Sequence, residues 1–298
     1  MQDALLHMPE VTPHVSIIIP AYNAGAFLQE TINSVKAQDF TDWEMIVVND
    51  GSKDNTAGIV LQQNDQRISL LDQVNKGVST ARNNGLAIAK GKYVVFLDAD
   101  DLMGESFLTA RIESLDKDET KGFCCGWVET FPDISPLMKG AAADPEKEIL
   151  FFEPGVTTVP SNYMLRKTIL NKYGINFNQI LSSSADRFFL LQVAKHTNGI
   201  LISSERGRLL YRISSHSMSH DMKPGLIFDN LQMYREVRRS GLLPREKNKF
   251  KSQFFFSLAL GFALTKKYNY AMLYLLRSAI SHPAVFFKLL WKKITTKK

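Results

Sequence analysis

The nine residues Tyr93-Val-Val-Phe-Leu-Asp-Ala-Asp-Asp101 pass from wholly apolar to almost wholly acidic at a single boundary. A short apolar run ended in this way reads as a buried strand. Acids at the end of a core strand do nothing for the core, so they are the first sign of a site. Towards the N-terminus the pattern recurs. Val15-Ser-Ile-Ile-Ile19 is a β-branched run stopped by Pro20, and Trp43 to Val48 runs into the turn formers Asn49-Asp50-Gly51-Ser52. Leu28, Ile32 and Val35 stand at helical spacing between them. A polar helix around Asp54 to Gln63, a weak strand near Arg67 to Leu71 and a helix from Val78 to Ala89, closed by Gly91, follow. Strands alternating with helices at this spacing predict an α/β fold, a mostly parallel sheet flanked by helices. Ligands bind such sheets beyond the carboxyl ends of the strands. Tyr22-Asn23, Asp50-Gly51-Ser52 and Asp98-Ala99-Asp100 would converge there.

Beyond Leu102 the pattern is mixed. Phe123 to Val128 and Leu209 to Ile213 read as strands, Asn162 to Tyr173 and Asp186 to His196 as helices, and Pro132 to Pro145 as a loop-rich connection. After Pro224 the chain turns helical and basic. The 298 residues are 45% apolar and 22% charged, which excludes a disordered or collagen-like chain. The longest apolar stretch, Phe254 to Leu264, is too short to span a bilayer, which takes about 20 residues. The first residues, MQDALLHMPEVTP, lack the features of a secretory signal. Cys124 and Cys125 are adjacent, so they form no disulfide framework and make a poor zinc site; two buried thiols in a reducing, cytoplasmic compartment are expected. Net charge is +6, unevenly spread: Arg245 to Lys298 holds 12 Lys or Arg and one acid, Glu246. Such asymmetry points to an acidic partner.

Asp98 and Asp100 offer hard oxygen ligands for Mg²⁺ or Mn²⁺, and an ion there would neutralise a diphosphate. A solvated acidic turn with Asp101 as helix cap is the structural alternative. Asp50 is either a carboxylate accepting bonds from a nucleobase or an Asx-turn and cap residue. Asp186 is either a general base or a first-turn helix acid. Tyr22 could stack on a base, Arg212, Ser217 and Ser219 could reach phosphate oxygens, and His216 is an open candidate for a ligand. GxGxxG after the first strand, GxxxxGK[ST], HExxH and GxSxG are all missing, so the dinucleotide, P-loop, zincin and nucleophile-elbow devices are excluded.

SIIIPAYN, VVNDGSKDNT, NKGVSTARNNG and YVVFLDADD follow one another within about 90 residues. The series resembles family 2 of the glycosyltransferases, inverting enzymes with a GT-A (Rossmann-like) fold. The resemblance implies that Pro20, Ala21 and Tyr22 line a nucleotide pocket and that Asp50 reads the base. Asn75, Lys76, Gly77 and Arg82 would lie near base and diphosphate, Asp98 with Ala99 near the ribose, and Asp100 on the metal. Asp186 would be the base that deprotonates the acceptor hydroxyl. Two departures stand out. The family usually has Glu before that Asp, here Ala185; and in its Tyr-Arg-x-His segment, which here begins Tyr211-Arg212, Ser214 takes the histidine position while His216 comes two residues late.

The expectation is an inverting, metal-dependent transferase that builds a surface polysaccharide or lipooligosaccharide. It would use a nucleotide-sugar, UDP-sugar favoured, and a glycan or lipid-linked acceptor. Residues 1–220 would form the GT-A domain, with a nucleotide-binding half over 15–101 and an acceptor half over 102–220, and residues 221–298 a helical, basic C-terminal region. That region would either pack with its charges solvated or let residues 245–298 touch an anionic membrane from the cytoplasmic side. No nucleic-acid module is recognisable, so nucleic acid is not expected as partner. A catalytically silent nucleotide-sugar-binding or membrane scaffold protein is the alternative that Ala185 and Ser214 keep open.

Overall fold

A computed structural model describes residues 12–132, 135–138, 149, 157–202, 205, 207–213, 224–243 and 246–295. Its centre is strand β1 (Val15–Ala21), in which every residue is buried. It pairs in parallel with β2 (Trp43–Asp50) on one side and β4 (Tyr93–Phe96) on the other. Beyond β2 lies β3 (Ile68–Gln73), parallel and at the edge. Helices α1 (Leu28–Lys36), α2 (Thr56–Leu61) and α3 (Val78–Ile88) are the crossovers. Helix α3 lies close against β1 and β2. A Cβ on Gly85 would meet Ile18 Cγ2 at 2.4 Å, so only glycine fits. Because β2 and β4 flank β1 on opposite sides, the order reverses there, and a crevice opens at the carboxyl ends of these strands.

The sheet continues past β4 with β9 (Tyr163–Arg166), β6 (Lys121–Cys125) and β10 (Asn198–Leu201). It has seven strands and is mostly parallel; only β9 runs antiparallel to its neighbours. Here the sequence misleads. Asn162 to Tyr173 reads as one helix, yet its first part is the end of a 3-10 turn (Pro160–Asn162) followed by strand β9, and only α5 (Lys167–Tyr173) is helical. Tyr163, Met164 and Leu165 are wholly or almost wholly buried between two strands. A run so short carries no period that tells strand from helix. Phe123 to Val128 is likewise two strands: β6 stops at Cys125, and β7 (Val128–Phe131) starts a second sheet.

That second sheet has the order β5 (Leu102–Met103), β11 (Leu209–Arg212), β7, β8 (Ser135–Met138). Strand β8 falls inside the stretch expected to be loop-rich. Arg111 on α4 (Phe107–Asp116) ties the two sheets together. It is fully buried, donates to the carbonyls of Gly207 and Asn162 and to Asn162 Oδ1, and lies over the Phe107 ring. Burial pulls its pKa down to about 10, since carbonyl dipoles rather than a carboxylate hold it. Cys124 and Cys125 are free and buried, and burial pushes the Cys124 thiol up to about 12.

Helix α6 (Ala185–His196) packs by its apolar side, including Phe189, Leu190 and Val193, against this body. After it come α7 (Pro224–Arg239), α8 (Lys247–Leu264), α9 (Tyr268–Ser281) and α10 (Pro283–Thr295). Aromatic pairs such as Tyr234 with Phe254 and Phe262 with Tyr274 hold them together, as do the buried hydroxyls of Ser252 and Ser278. Among the described residues no helix is long and apolar enough to cross a membrane.

Candidate active site

The polar residues of the first two turns stitch those turns to each other. Asn23, with a left-handed φ of 49°, reaches across to the second turn: its N–H donates to Ser52 Oγ, and its Oδ1 accepts from Lys53 N. Ala24 N donates to Thr56 Oγ1, and Gly25 N to Asp54 Oδ2. Asn49 makes the Asx-type bond to Ser52 N, and Asp54 holds the amide of Thr56 at the start of α2. Asp50 has neither task. With these loops pinned, Pro20 and Ala21 stay buried while Tyr22, 52% exposed, stands at the crevice.

Asp50 is buried at the end of β2. Its Oδ1 accepts from Gln73 Nε2 at 2.7 Å and from Lys76 N at 2.8 Å, and its Oδ2 from Gly77 N at 2.9 Å. Gln73 is itself oriented by Asn84 of α3, whose Nδ2 donates to Gln73 Oε1. The carboxylate therefore fixes the Asn75-Lys76-Gly77 turn, where Gly77 needs its φ of 85°. About one of its roughly four acceptor positions is left for a ligand N–H. Asn75, Lys76 and Gly77 are exposed on the same side.

Arg82 is the hub. Its side chain is 3% exposed, Nη2 donates to Asp98 Oδ1 and Nη1 to Asp186 Oδ1, each at 2.6 Å. The guanidinium also lies 4.9 Å from the centre of the Phe177 ring, which stacks on Phe189 of α6. Burial opposes the charge on Arg82, but the two carboxylates outweigh it and hold its pKa above the ordinary arginine value. Burial raises the Asp186 carboxyl above its ordinary value; Arg82 opposes the rise and the charge on Asp98 adds to it. No described residue donates to Asp186 Oδ2. Asp186 thus sits in the first turn of α6, as its structural alternative has it, with its side chain still 32% accessible.

The acidic turn is anchored on both sides. Ser161 Oγ accepts from Asp98 N, and Thr31 donates to the carbonyl of Ala99. Arg212 reaches in from the second sheet, donating to the Asp100 carbonyl through Nε, to Glu30 through Nη2, and to Asp101 Oδ1 through its own amide. Asp101 is fully buried and caps no helix, since α4 begins at Phe107. The Asp100 carboxyl is raised by burial and by the neighbouring charge of Asp98. Among the described residues no three His, Cys, Asp or Glu converge to cage a metal. That donor set still fits Mg²⁺ or Mn²⁺, because such ions take one or two carboxylates and complete their shell with phosphate oxygens and water. The repulsion between Asp98 and Asp100 is what a cation would relieve. His216, Ser214, Ser217 and Ser219 lie outside the described residues.

Three participants escape the sequence reading. Asn83 donates to the carbonyl of Phe177 and accepts from its amide, locking the ring beneath Arg82. Gln73 holds Asp50. Asp229, on α7, accepts from Ser182 N at 2.9 Å, Ser184 N at 2.7 Å and Ser183 Oγ at 3.0 Å. It gathers the serines that lead into α6. Burial works against its ionisation, but these bonds win and lower its pKa. A lone Asp 45 to 47 positions from the serines it holds gives no sequence signal. The neighbouring Asn83 and Asn84 of the ARNN segment could have been suspected.

The family model described as Glycosyl transferase family 2 matches residues 16–174. A relative in Escherichia coli, the UDP-Glc:alpha-D-GlcNAc-diphosphoundecaprenol beta-1,3-glucosyltransferase WfgD, is 32% identical over 209 residues, 69% of this chain and 79% of that protein. Across the curated relatives the matched stretch ranges from 32% to 79% of their own length, mostly under two thirds. Among solved structures, S. aureus TarS 1-349 in complex with UDP-GlcNAc superposes with a TM-score of 0.66 at 18% identity, over 94% of this chain and 92% of that one. The mannosyltransferase PcManGT of Pyrobaculum calidifontis, in complex with GDP-Man and Mn2+, gives 0.63 at 17% identity, over 98% and 84%. At these identities the likeness is one of fold.

Proposed function

Because the chain belongs to glycosyl transferase family 2 and has its GT-A fold, we propose that it is an inverting transferase working by a single displacement. It moves a sugar from a nucleotide-sugar, UDP-sugar favoured, to a hydroxyl of a glycan or lipid-linked acceptor in the making of a surface polysaccharide or lipooligosaccharide. The observation that carries this reading is Arg82 bridging Asp98 and Asp186. One buried cation joins the donor end of the crevice to the acid at the head of α6. The names of the relative and neighbours, which use or hold UDP-Glc, UDP-GlcNAc and GDP-Man, support a nucleotide-sugar donor.

In the displacement, Asp186 Oδ2 accepts the proton of the acceptor hydroxyl as its oxygen bonds to the anomeric carbon. The bond from that carbon to the diphosphate oxygen breaks, and the nucleoside diphosphate leaves with the electron pair. A carboxyl raised by burial is a better base than an ordinary one, and positioned bases contribute ~10²–10⁴-fold. Arg82 keeps Asp186 turned into the crevice by engaging only Oδ1. Tyr22, Asp50 and the Asn75–Gly77 turn line the base end, with Pro20 and Ala21 beneath. Asp100, with Asp98 beside it, would hold Mn²⁺ or Mg²⁺, which supplies charge neutralisation on the departing diphosphate. Residues 1–220 serve as the catalytic domain. The basic segment 245–298 rests on an anionic membrane from the cytoplasmic side, where a lipid-linked acceptor lies.

The test pairs calorimetry with turnover. UDP, GDP and dTDP are titrated with and without Mn²⁺, and donor consumption is followed in Asp186→Asn. Metal-dependent binding of one nucleotide, retained in the variant while transfer falls by at least ~10², is expected. Undiminished turnover in the variant would remove Asp186 as base. Failure of the folded protein to bind any nucleotide would leave the silent scaffold.

A further inference from the structure

Away from the crevice, helices α7, α8 and α9 enclose a pocket of about 560 Å³. Tyr234, Phe255 and Tyr274, one from each helix, form its half-buried aromatic lining, with Phe255 within 5.3 Å of Tyr234 and 5.8 Å of Tyr274, ring centre to ring centre. Around them stand Arg235, Arg238, Lys251 and Arg277. Among the described residues none of these four cations has a carboxylate partner. Glu236, the acid on this stretch of α7, is buried and accepts from Gln232. Burial raises the Tyr234 phenol, while Arg238 and Arg277, from different helices, both act to lower it.

Four cations with no acid among the described residues, set around an aromatic hollow, call for an anion. The next element says what kind. Leu273, Leu276 and Ile280 are 42%, 59% and 73% exposed and recur at i, i+3 and i+7 on α9, the face that also carries Arg277. Ile280 itself lines the pocket. An exposed aliphatic ridge bordering a cationic hollow matches a phosphate head with a hydrocarbon body, and it has the composition of an interfacial helix. A second copy fits poorly, because a two-fold contact would set these cations against their own images.

We propose that the α7–α8–α9 pocket binds the phosphate headgroup of an anionic membrane lipid, with the Leu273–Leu276–Ile280 ridge lying at the acyl boundary. This deepens the membrane contact proposed above and does not require sugar transfer to occur. It also gives that contact a direction. Arg235 lies six residues beyond Asp229, roughly 9 Å along a helix at 1.5 Å per residue. Through Asp229 the same helix holds the serines that precede Asp186. A headgroup in the pocket would thus sit on the helix that holds the approach to the base.

The full chain is co-sedimented with phosphatidylcholine vesicles and with vesicles that also carry phosphatidylglycerol. Binding only to the second is expected. Arg238→Gln with Arg277→Gln should lower partitioning by more than the roughly 30-fold that two cations near the membrane surface are worth, and the Arg238→Lys, Arg277→Lys pair should restore most of it. Lys288→Gln with Lys293→Gln removes equal charge from α10 and should lower partitioning clearly less. Equal loss in both Gln pairs would overturn the pocket in favour of diffuse attraction. Displacement from vesicles by millimolar inorganic phosphate would assign it to the free anion. Stronger retention on single-stranded DNA than on vesicles, or a solution dimer dissolved by the Gln pair, would assign the face to those partners. Retained calorimetric binding of nucleotide in the Gln pair shows a folded site; lost transfer with intact vesicle binding would sink the function proposed above and leave this inference standing.

Discussion

Arg82 and Arg277 both project from helices among aromatic rings, and they are used in opposite ways. Arg82 is enclosed, spans two carboxylates and lies by the Phe177 ring. Arg277 lies 5.2 Å from the Tyr274 ring, is exposed and has no acidic partner among the described residues. The contrast extends to their regions. In residues 12–101 the functional side chains hold one another: Asn84 orients Gln73, Gln73 bonds Asp50, and Asp50 holds two backbone amides. In the C-terminal helices the core is mostly aromatic, Arg235, Arg238 and Arg277 are exposed, and α10 buries no residue at all. A region whose charges are internally committed has its geometry set before a ligand arrives. A pocket whose cations have no acid among the described residues has something left to bind with.

The widest break in this contrast comes from removing the hub. Arg82→Gln should cost up to ~3 kcal/mol, the lower end for breaking a buried pair, because both acids keep access to water. Denaturant unfolding measures it. The same variant should shift the pH profile of transfer. As the proposed base, Asp186 must be ionised, and burial already raises its pKa. Activity is therefore lost as pH falls through that raised value. Without the opposing cation the acid limb should move to higher pH; a limb that stays or moves lower would contradict the assignment.

Asp50→Asn should cost about 1–3 kcal/mol, because an amide placed against Gly77 N or Lys76 N sets donor against donor. Weaker nucleotide binding in calorimetry should accompany it. Asp229→Ala tests the polar clasp between α7 and the serines that lead into α6. Losing a cap-like carboxylate costs about 1 kcal/mol, and kcat should fall while the KM for donor stays unchanged, since the donor turns are untouched. A change confined to the donor KM would refute the clasp. The smallest effect belongs to Trp291→Ser, on the surface of α10 and 71% exposed. Its stability should stay within about 0.5 kcal/mol of the parent in urea. A larger loss would mean that α10 is packed, not presented.

The first half of the fold was open to a reader of the sequence because its signals are local. Ile17 to Ile19 and Val94 to Phe96 are apolar runs long enough to be strands on any register, and each ends in a turn former. Tyr163 to Leu165 lacks such bounds and needs β4 and β6 on either side to become a strand. The site divides in the same way. Asp98 and Asp186 could be named from their positions at element ends, but not the arginine that joins them. Asp50 could be named too, but the amides that occupy most of its carboxylate lie 26 and 27 residues on. Pairings across such separations leave no trace in spacing.

Taken alone, the sequence determined the alternation of strand and helix, the family, the acids at the strand ends and the basic tail, since each is carried by neighbouring residues or an ordered run of motifs. Only the tertiary structure decided which groups meet. It set Arg82 between Asp98 and Asp186, seated Arg111 among carbonyls, brought Asp229 to the serines before α6, and left the cations of α7, α8 and α9 around a single hollow. The physical reason is that burial and hydrogen bonding act on what is near in space. Parallel strands and stacked helices bring together residues far apart along the chain, and there desolvation and partner charges fix the state of each group.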